Sequence, residues 1–216
     1  AADDRPFAKS LSLRAQASLA LYRLSFGLAG LAAASAVPWI GAYSRRVNEG
    51  FSDYLGRVPR SKKPRVFWIH AVSMGEAMVA YGFAAGLQRE FPDYQTVFTS
   101  THPDVIAGAR RRGLLAAYFP LDTQLSMHRA FERWHPAAVF VCETDFWPEF
   151  STQCRQRRLP LFLINGRISS KIADFYQNFA GLAELVFGAY TLFAVQSDSD
   201  AGDRKSTRLN SSHTIQ

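Results

Sequence analysis

Glu76 follows an apolar run that begins at Val66, within the string His70-Ala71-Val72-Ser73-Met74-Gly75-Glu76. The run predicts a strand and the residues after Ser73 a helix, so the carboxylate falls in the helix's first turn. There the helix dipole favours its ionised form and leaves it available to accept a hydroxyl proton. Gly75 removes side-chain bulk and lets a substrate approach. The same spacing, Ser73-x-x-Glu76, is also a capping box, in which the serine oxygen and the glutamate satisfy backbone N–H groups reciprocally. The residues alone allow either role.

Two further strings end apolar runs in the same manner. Glu143 comes directly after Cys142 in Cys142-Glu143-Thr144-Asp145-Phe146-Trp147-Pro148-Glu149. Pro148 suits the first position of a helix, and Asp145 and Glu149 complement that helix's dipole, which leaves Glu143 without an equally simple structural role. Downstream, Asn165-Gly166-Arg167-Ile168-Ser169 offers Ser169 as a helix cap, with Asn165 and Arg167 on the same rim. Arg167 has the fork geometry to bind a phosphate or carboxylate, or to pair with a neighbouring acid. Two carboxylates and an arginine, with no GxGxxG or GxxxxGK[ST] loop, suit group transfer or hydrolysis better than redox or nucleotide-phosphate chemistry.

Short apolar runs at 66–72, 95–99, 116–119, 137–142, 160–164 and 191–195 read as strands. Helical stretches at 75–91, 104–112, 124–134, 148–158 and 169–187 separate them. This alternation predicts an α/β domain, a Rossmann-like parallel sheet with helices on both faces. In such sheets ligands sit beyond the carboxyl ends of the strands, where Glu76, Glu143, Asn165 and Arg167 fall.

The net charge of +7 is uneven along the chain: residues 1–65 hold eleven Lys/Arg against four Asp/Glu, whereas the remainder holds fourteen of each. The basic third contains an uncharged stretch, 24–44, bounded by Arg23 and by Arg45-Arg46, with Arg57, Arg60, Lys62, Lys63 and Arg65 following. Basic flanks beside an apolar, Gly- and Ala-rich run broken by Pro38 predict a helix lying in or dipping into an anionic membrane surface. A buried helix of the domain is the competing reading. Confinement of the surplus to this third argues against a nucleic-acid partner. Cys142 and Cys154 lack CxxC spacing, and the histidines lack HExxH spacing, so neither a disulfide framework nor a metal site is expected. The chain opens on Ala1, and residues 203–216 break with the preceding text and read like a frame through a sequencing adapter. A cut start and a non-native tail are the expectations, with a flexible Ser/Arg-rich linker as the alternative for the tail.

Taken in order, His70-x-x-Ser73-x-Gly75-Glu76, Glu143-Thr144-Asp145-x-Trp147-Pro148 and Asn165-x-Arg167-x-Ser169 resemble the successive motifs of the 3-deoxy-D-manno-octulosonic acid (Kdo) transferases. The resemblance runs from about Arg45 to Asp200. Met74, Asp145 and Gly166 replace a usual valine, glutamate and alanine, and the loop from Ser100 to Val105 lacks the family's threonine-rich, glycine-bearing stretch.

The resemblance implies the N-terminal, acceptor half of a two-domain GT-B glycosyltransferase that transfers Kdo from CMP-Kdo to the lipid A precursor, lipid IVA, in lipopolysaccharide synthesis. It divides the chain into a membrane-associated segment (1–44), an acceptor domain (45–202) and the tail, with the protein's own C-terminal domain lying beyond. It implies Glu76 as general base, with Glu143 supporting the transition state by stabilising positive charge or positioning the acceptor. Ser73, Gly75, Asn165 and Arg167 would contact the acceptor. It implies no cofactor beyond the donor substrate, and a place at the cytoplasmic face of the bacterial inner membrane. A membrane GT-B enzyme with another nucleotide sugar, or a non-catalytic glycolipid-binding module, fits the same residues less specifically.

Overall fold

A computed structural model describes residues 10–41, 45–143, 146–166 and 170–195. Its centre is a six-stranded sheet of β1 (Arg65–His70), β2 (Tyr94–Ser100), β3 (Leu115–Tyr118), β4 (Pro136–Cys142), β5 (Leu161–Gly166) and β6 (Leu192–Val195). All pairings are parallel and the spatial order is β3-β2-β1-β4-β5-β6. Eight described helices accompany it: α1 (Leu13–Gly41), α2 (Arg45–Tyr54), α3 (Met74–Glu90), α4 (Pro103–Arg111), α5 (Gln124–Trp134), α6 (Pro148–Gln156), α7 (Ser170–Asn178) and α8 (Ala180–Phe187).

Strands buried on both faces read as continuous apolar runs, and successive side chains feed opposite cores. In β1, Ile69 enters the core shared with Ala77, Tyr81, Val105 and Ile106 of α3 and α4. Trp68, with no exposed surface, enters the other, against Phe131 and Trp134 of α5 and Phe150 of α6 at ring separations of 4.9, 4.8 and 5.0 Å. Its indole N–H donates to Thr99 Oγ1 at 2.8 Å, so the large ring is buried without an orphaned donor.

The six predicted strands and the predicted helices between them are present, with ends moved by one or two residues except at the last helix. That stretch, 169–187, is two helices, because Phe179 leaves helical geometry at φ −119°, ψ 61°. α2 is an addition: the sequence reading treats it only as a basic flank. It docks through Asp53, whose Oδ2 accepts from the Tyr118 N–H at 3.0 Å.

The helix expected over 24–44 is not an element of its own, since residues 24–41 continue a helix that begins eleven residues earlier. One helix starts at Leu13, and its early turns, bearing Arg14, Gln16, Ser18 and Arg23, are fixed to the domain. Ala15 and Leu19 are buried with Leu185 of α8, and the Ser12 N–H donates to Glu184 at 2.8 Å. No helix among the described residues is long and apolar enough to cross a membrane. Close approach of α1 to α8 depends on Gly181, where a Cβ would lie 2.7 Å from Arg14 O and 2.2 Å from Ser18 Oγ. Gly181→Val is expected to lower stability by about 1–3 kcal/mol through this overpacking, read as a lower urea midpoint with an unchanged slope.

Candidate active site

The connections on either side of β1 determine where a ligand fits. β1 passes to β2 through α3 on one face, whereas β4, on the other side of β1, passes to β5 through α6 on the opposite face. The helices therefore leave the two adjacent strands in opposite directions, and a crevice opens beyond their carboxyl ends. Glu76 follows β1 and Glu143 follows β4, so the fold brings the two carboxylates to the same switch point.

The turn after β1 is tightly held. Ser73 is the N-cap of α3 in extended geometry, and its Oγ accepts from the Glu76 N–H at 3.1 Å. Glu76 Oε2 in turn accepts from the Val72 N–H at 2.8 Å. The capping reading of Ser73-x-x-Glu76 is thus realised, with the reciprocal bond one residue earlier than usual. The Val72 carbonyl accepts from Ser100 Oγ at 3.3 Å, which ties this turn to the end of β2. Glu76 is buried at 8% exposure, yet its Oε1 takes no hydrogen bond among the described residues. Nothing but Ser73 Oγ, at 3.8 Å, would meet a Cβ on Gly75, so packing does not demand a glycine there and the space above it is open.

Two of the other predicted rim residues adopt left-handed backbone: Glu143 at φ 63° and Asn165 at φ 55°. Asparagine tolerates this region, whereas glutamate does so at a cost, and such strain gathers at functional sites. The Glu143 N–H donates to the Ile164 carbonyl at 3.1 Å, and Asn165 Nδ2 reaches Glu143 Oε1 at 3.4 Å. Glu143 and Asn165 are therefore brought together, as the sequence predicts. Arg167, with Thr144 and Asp145, lies outside the described residues. His70 is fully buried below the crevice, with Nδ1 3.1 Å from the Thr99 carbonyl and its ring 4.0 Å from that of Phe119. The Thr99 hydroxyl lies 3.0 Å from the same nitrogen and can donate or accept, so Nδ1 has a partner in either tautomer. No group of three or more His, Cys, Asp or Glu side chains among the described residues can hold a metal ion.

A polar cluster beside the rim escaped the sequence reading. Trp147 provides no side-chain cap for α6, and Asp122, from the loop after β3, does so instead. Asp122 accepts from the Phe150 N–H at 2.8 Å, the Glu149 N–H at 3.0 Å and the Tyr22 hydroxyl of α1 at 2.7 Å. Glu149, read from sequence as a partner of the helix dipole, is wholly buried and paired with Arg23 at 2.8 and 3.2 Å. An acid one residue ahead of a visible N-cap, Thr123, is a local signal only for its own helix, and its service to α6 is a tertiary fact. Burial also raises the thiol of Cys154, on α6, so it is inert.

A doubly wound parallel domain with two carboxylates on its switch-point rim and no phosphate-binding glycine loop belongs to the class of α/β group-transfer domains. The family can be named as well. The family model for 3-deoxy-D-manno-octulosonic-acid transferase (kdotransferase) matches residues 49–214, and the chain belongs to that family. The matched span runs past residue 203, into the tail. Among similar proteins, 3-deoxy-D-manno-octulosonic acid transferase of Haemophilus influenzae is 29% identical over 67% of this chain and 34% of its own length. A probable mitochondrial 3-deoxy-D-manno-octulosonic acid transferase of Arabidopsis thaliana is 32% identical over 49% of this chain and 24% of its own. The chain thus spans about a third or less of these two relatives. A UDP-GlcNAc 2-epimerase structure from Neisseria meningitidis, bound to UDP-GlcNAc, aligns with TM-score 0.47 and 14% identity over 67% of this chain and 43% of that one.

Burial pushes the Asp122 carboxyl up to about 6, and the adjacent Glu149 adds to this, against the opposing pull of Tyr22 and the two amides. Held near 6 rather than near 4, the group favours the folded state most when neutral. That contribution is fully present below about pH 4 and is lost as pH rises through about 6, an amount on the order of 2–3 kcal/mol. The stability advantage of the wild type over Asp122→Asn is expected to shrink by that amount between pH 4 and 7, measured by urea unfolding. A constant difference across this range would show that Asp122 does not titrate there.

Proposed function

We propose that this chain is the acceptor-side half of a glycosyltransferase that moves Kdo from CMP-Kdo to a lipid A precursor such as lipid IVA. The observation that carries the reading is the divided carboxylate of Glu76. One oxygen accepts from the Val72 N–H, the other takes no hydrogen bond among the described residues, and the space over the neighbouring Gly75 is open, at a strand end next to the one that Glu143 follows. An acceptor hydroxyl hydrogen-bonded to Oε1 gives up its proton there as its oxygen attacks the anomeric carbon of Kdo, and CMP leaves with the electron pair of the broken bond. Glu143, held in strained backbone beside Asn165, supplies negative charge where the sugar ring becomes positive. Ser73, Gly75 and Asn165 border the acceptor's approach, Arg167 is assigned to acceptor binding from its sequence motif, and no cofactor takes part.

Membership of the family supports this assignment, and so does the apolar skin of α3 beside the base. Met74, Met78 and Val79 are 46%, 57% and 46% exposed on its first two turns. A lipid-linked sugar presented at the cytoplasmic face of the inner membrane would meet that surface on its way to Glu76. Arg60, Lys62, Lys63 and Arg65, by contrast, lead into the amino end of β1, at the other edge of the sheet from the crevice, and are not assigned to the acceptor site. CMP-Kdo is bound mainly by the protein's own C-terminal domain, closing over the rim in a GT-B arrangement.

The test is Glu76→Gln in the full-length enzyme. Glutamine keeps an oxygen for Val72 and loses only the base, so the urea midpoint is expected to move by under about 1 kcal/mol. Transfer of labelled Kdo to lipid IVA is expected to fall by about 10²–10⁴-fold. Wild-type turnover by the variant removes Glu76 as base. Turnover of the wild type with UDP-sugars but not with CMP-Kdo removes the donor assignment.

A further inference from the structure

Two acids lie buried together at the start of α6, and the groups that compensate them come largely from α1. Asp122 is 2% exposed and Glu149 not at all. Asp122 spends its oxygens on the first amides of α6 and on the Tyr22 hydroxyl. Glu149 is neutralised by Arg23 through Nε at 2.8 Å and Nη2 at 3.2 Å, and accepts from Gln153 Nε2 at 2.8 Å. Gln153 passes the chain of contacts to Arg157, which pairs with Glu132 of α5 at 3.0 Å. Ionised carboxylates cannot stay buried side by side without such partners, since leaving one charge uncompensated in the interior is far costlier than never burying it. Arg23 is the one cation within salt-bridge distance of Glu149 among the described residues.

The consequence reaches the rim. α6 begins five residues after Glu143, and Trp147, its N-cap, packs its ring 5.5 Å from Phe119 next to His70. With no side-chain cap from Trp147, the first amides of α6 are capped by Asp122, and Asp122 and Glu149 are held in their buried positions by Tyr22 and Arg23. We propose that α1 is a positioning element of the active site: through Arg23 and Tyr22 it fixes the first turn of α6, and with it the β4 end that carries Glu143. The helix ahead of the domain then serves acceptor chemistry directly, whatever it does at a membrane. The link to acceptor chemistry rests on the function proposed above, whereas the link to the order of α6 does not.

The experiment compares Arg23→Gln, the charge-balanced pair Arg23→Gln/Glu149→Gln, and Tyr22→Phe in the full-length enzyme. Two readouts are taken. Hydrogen exchange reports the Glu149 and Phe150 amides, and Kdo transfer is measured with lipid IVA dispersed in detergent, where attachment to a bilayer is irrelevant. Arg23→Gln is expected to speed exchange at those two amides at least tenfold while β1 and β4 amides keep their protection. It should lower the acceptor-dependent rate at least tenfold and leave KM for CMP-Kdo unchanged. The charge-balanced pair should regain most of both, which a merely structural loss of α1 would not do. Tyr22→Phe removes a single hydroxyl and should shift both readouts about three- to tenfold, so it decides the matter if Arg23→Gln does not accumulate folded. Unchanged exchange at Glu149 and Phe150, or no recovery in the pair, overturns the proposal. If exchange responds as expected but the wild type transfers no Kdo, the positioning of α6 stands and the assigned reaction falls.

Discussion

Everything at the rim follows from one reversal in the winding of the sheet. From β1 the chain winds outward to β2 and β3, then returns to place β4 on β1's other side and winds outward again to β5 and β6. Right-handed crossovers then force the helices after β1 and β4 onto opposite faces. Between them no helix covers the strand ends, and the backbone must be satisfied by turns and side chains instead. The Ser73–Glu76 box, the Ser100 bond to Val72 and the left-handed turns at Glu143 and Asn165 are local answers to that one topological opening. Residues that satisfy the opening are also those to which the proposed function assigns the acceptor.

The sheet was legible because parallel strands buried on both faces leave continuous apolar text, and six such runs can be read without knowing their order. Glu76 was legible as a residue in two roles, since a capping box is a local pattern. Its choice of the Val72 amide and the open space over Gly75 are not local, and only coordinates supply them. Asp122 was invisible for the same reason: it caps α6 from a loop that precedes α5, more than twenty-five residues away. The early turns of α1 were misread because Arg14 and Arg23 interrupt the apolar pattern. Their hydrophobic face is a short stripe against α8, with Gly181 setting the approach, and a stripe of that width is lost beside the longer uncharged run that follows.

Charge was legible in amount but not in arrangement. Counted along the chain, the cationic surplus sits in residues 1–65. In a doubly wound domain, however, helices that follow strands begin at the carboxyl edge of the sheet and end at the amino edge. Helix dipoles favour acids at the start and bases at the end, so small preferences of separate helices add up to a polarity of the whole domain. Glu76, Asp104 and Glu149 stand in first turns, while Arg89, Arg110, Arg111, Arg133 and Arg155 stand in last turns. Lys62, Lys63 and Arg65 join the amino edge because they lead into β1.

That polarity bears on what the crevice can hold. Its described rim carries Glu76 and Glu143, and the nearest described cation in the α6 cluster, Arg23, is already committed to Glu149. A rim of this sign is suited to withdrawing a proton from a neutral hydroxyl and to facing a centre that becomes positive. It is poorly suited to gripping a nucleotide phosphate, which calls for guanidinium, ammonium or free helix amides. The α3 and α6 N-termini, which could offer such amides, are closed by Ser73 and Asp122. The proposed function accordingly assigns these carboxylates to the acceptor and not to a phosphate-bearing donor.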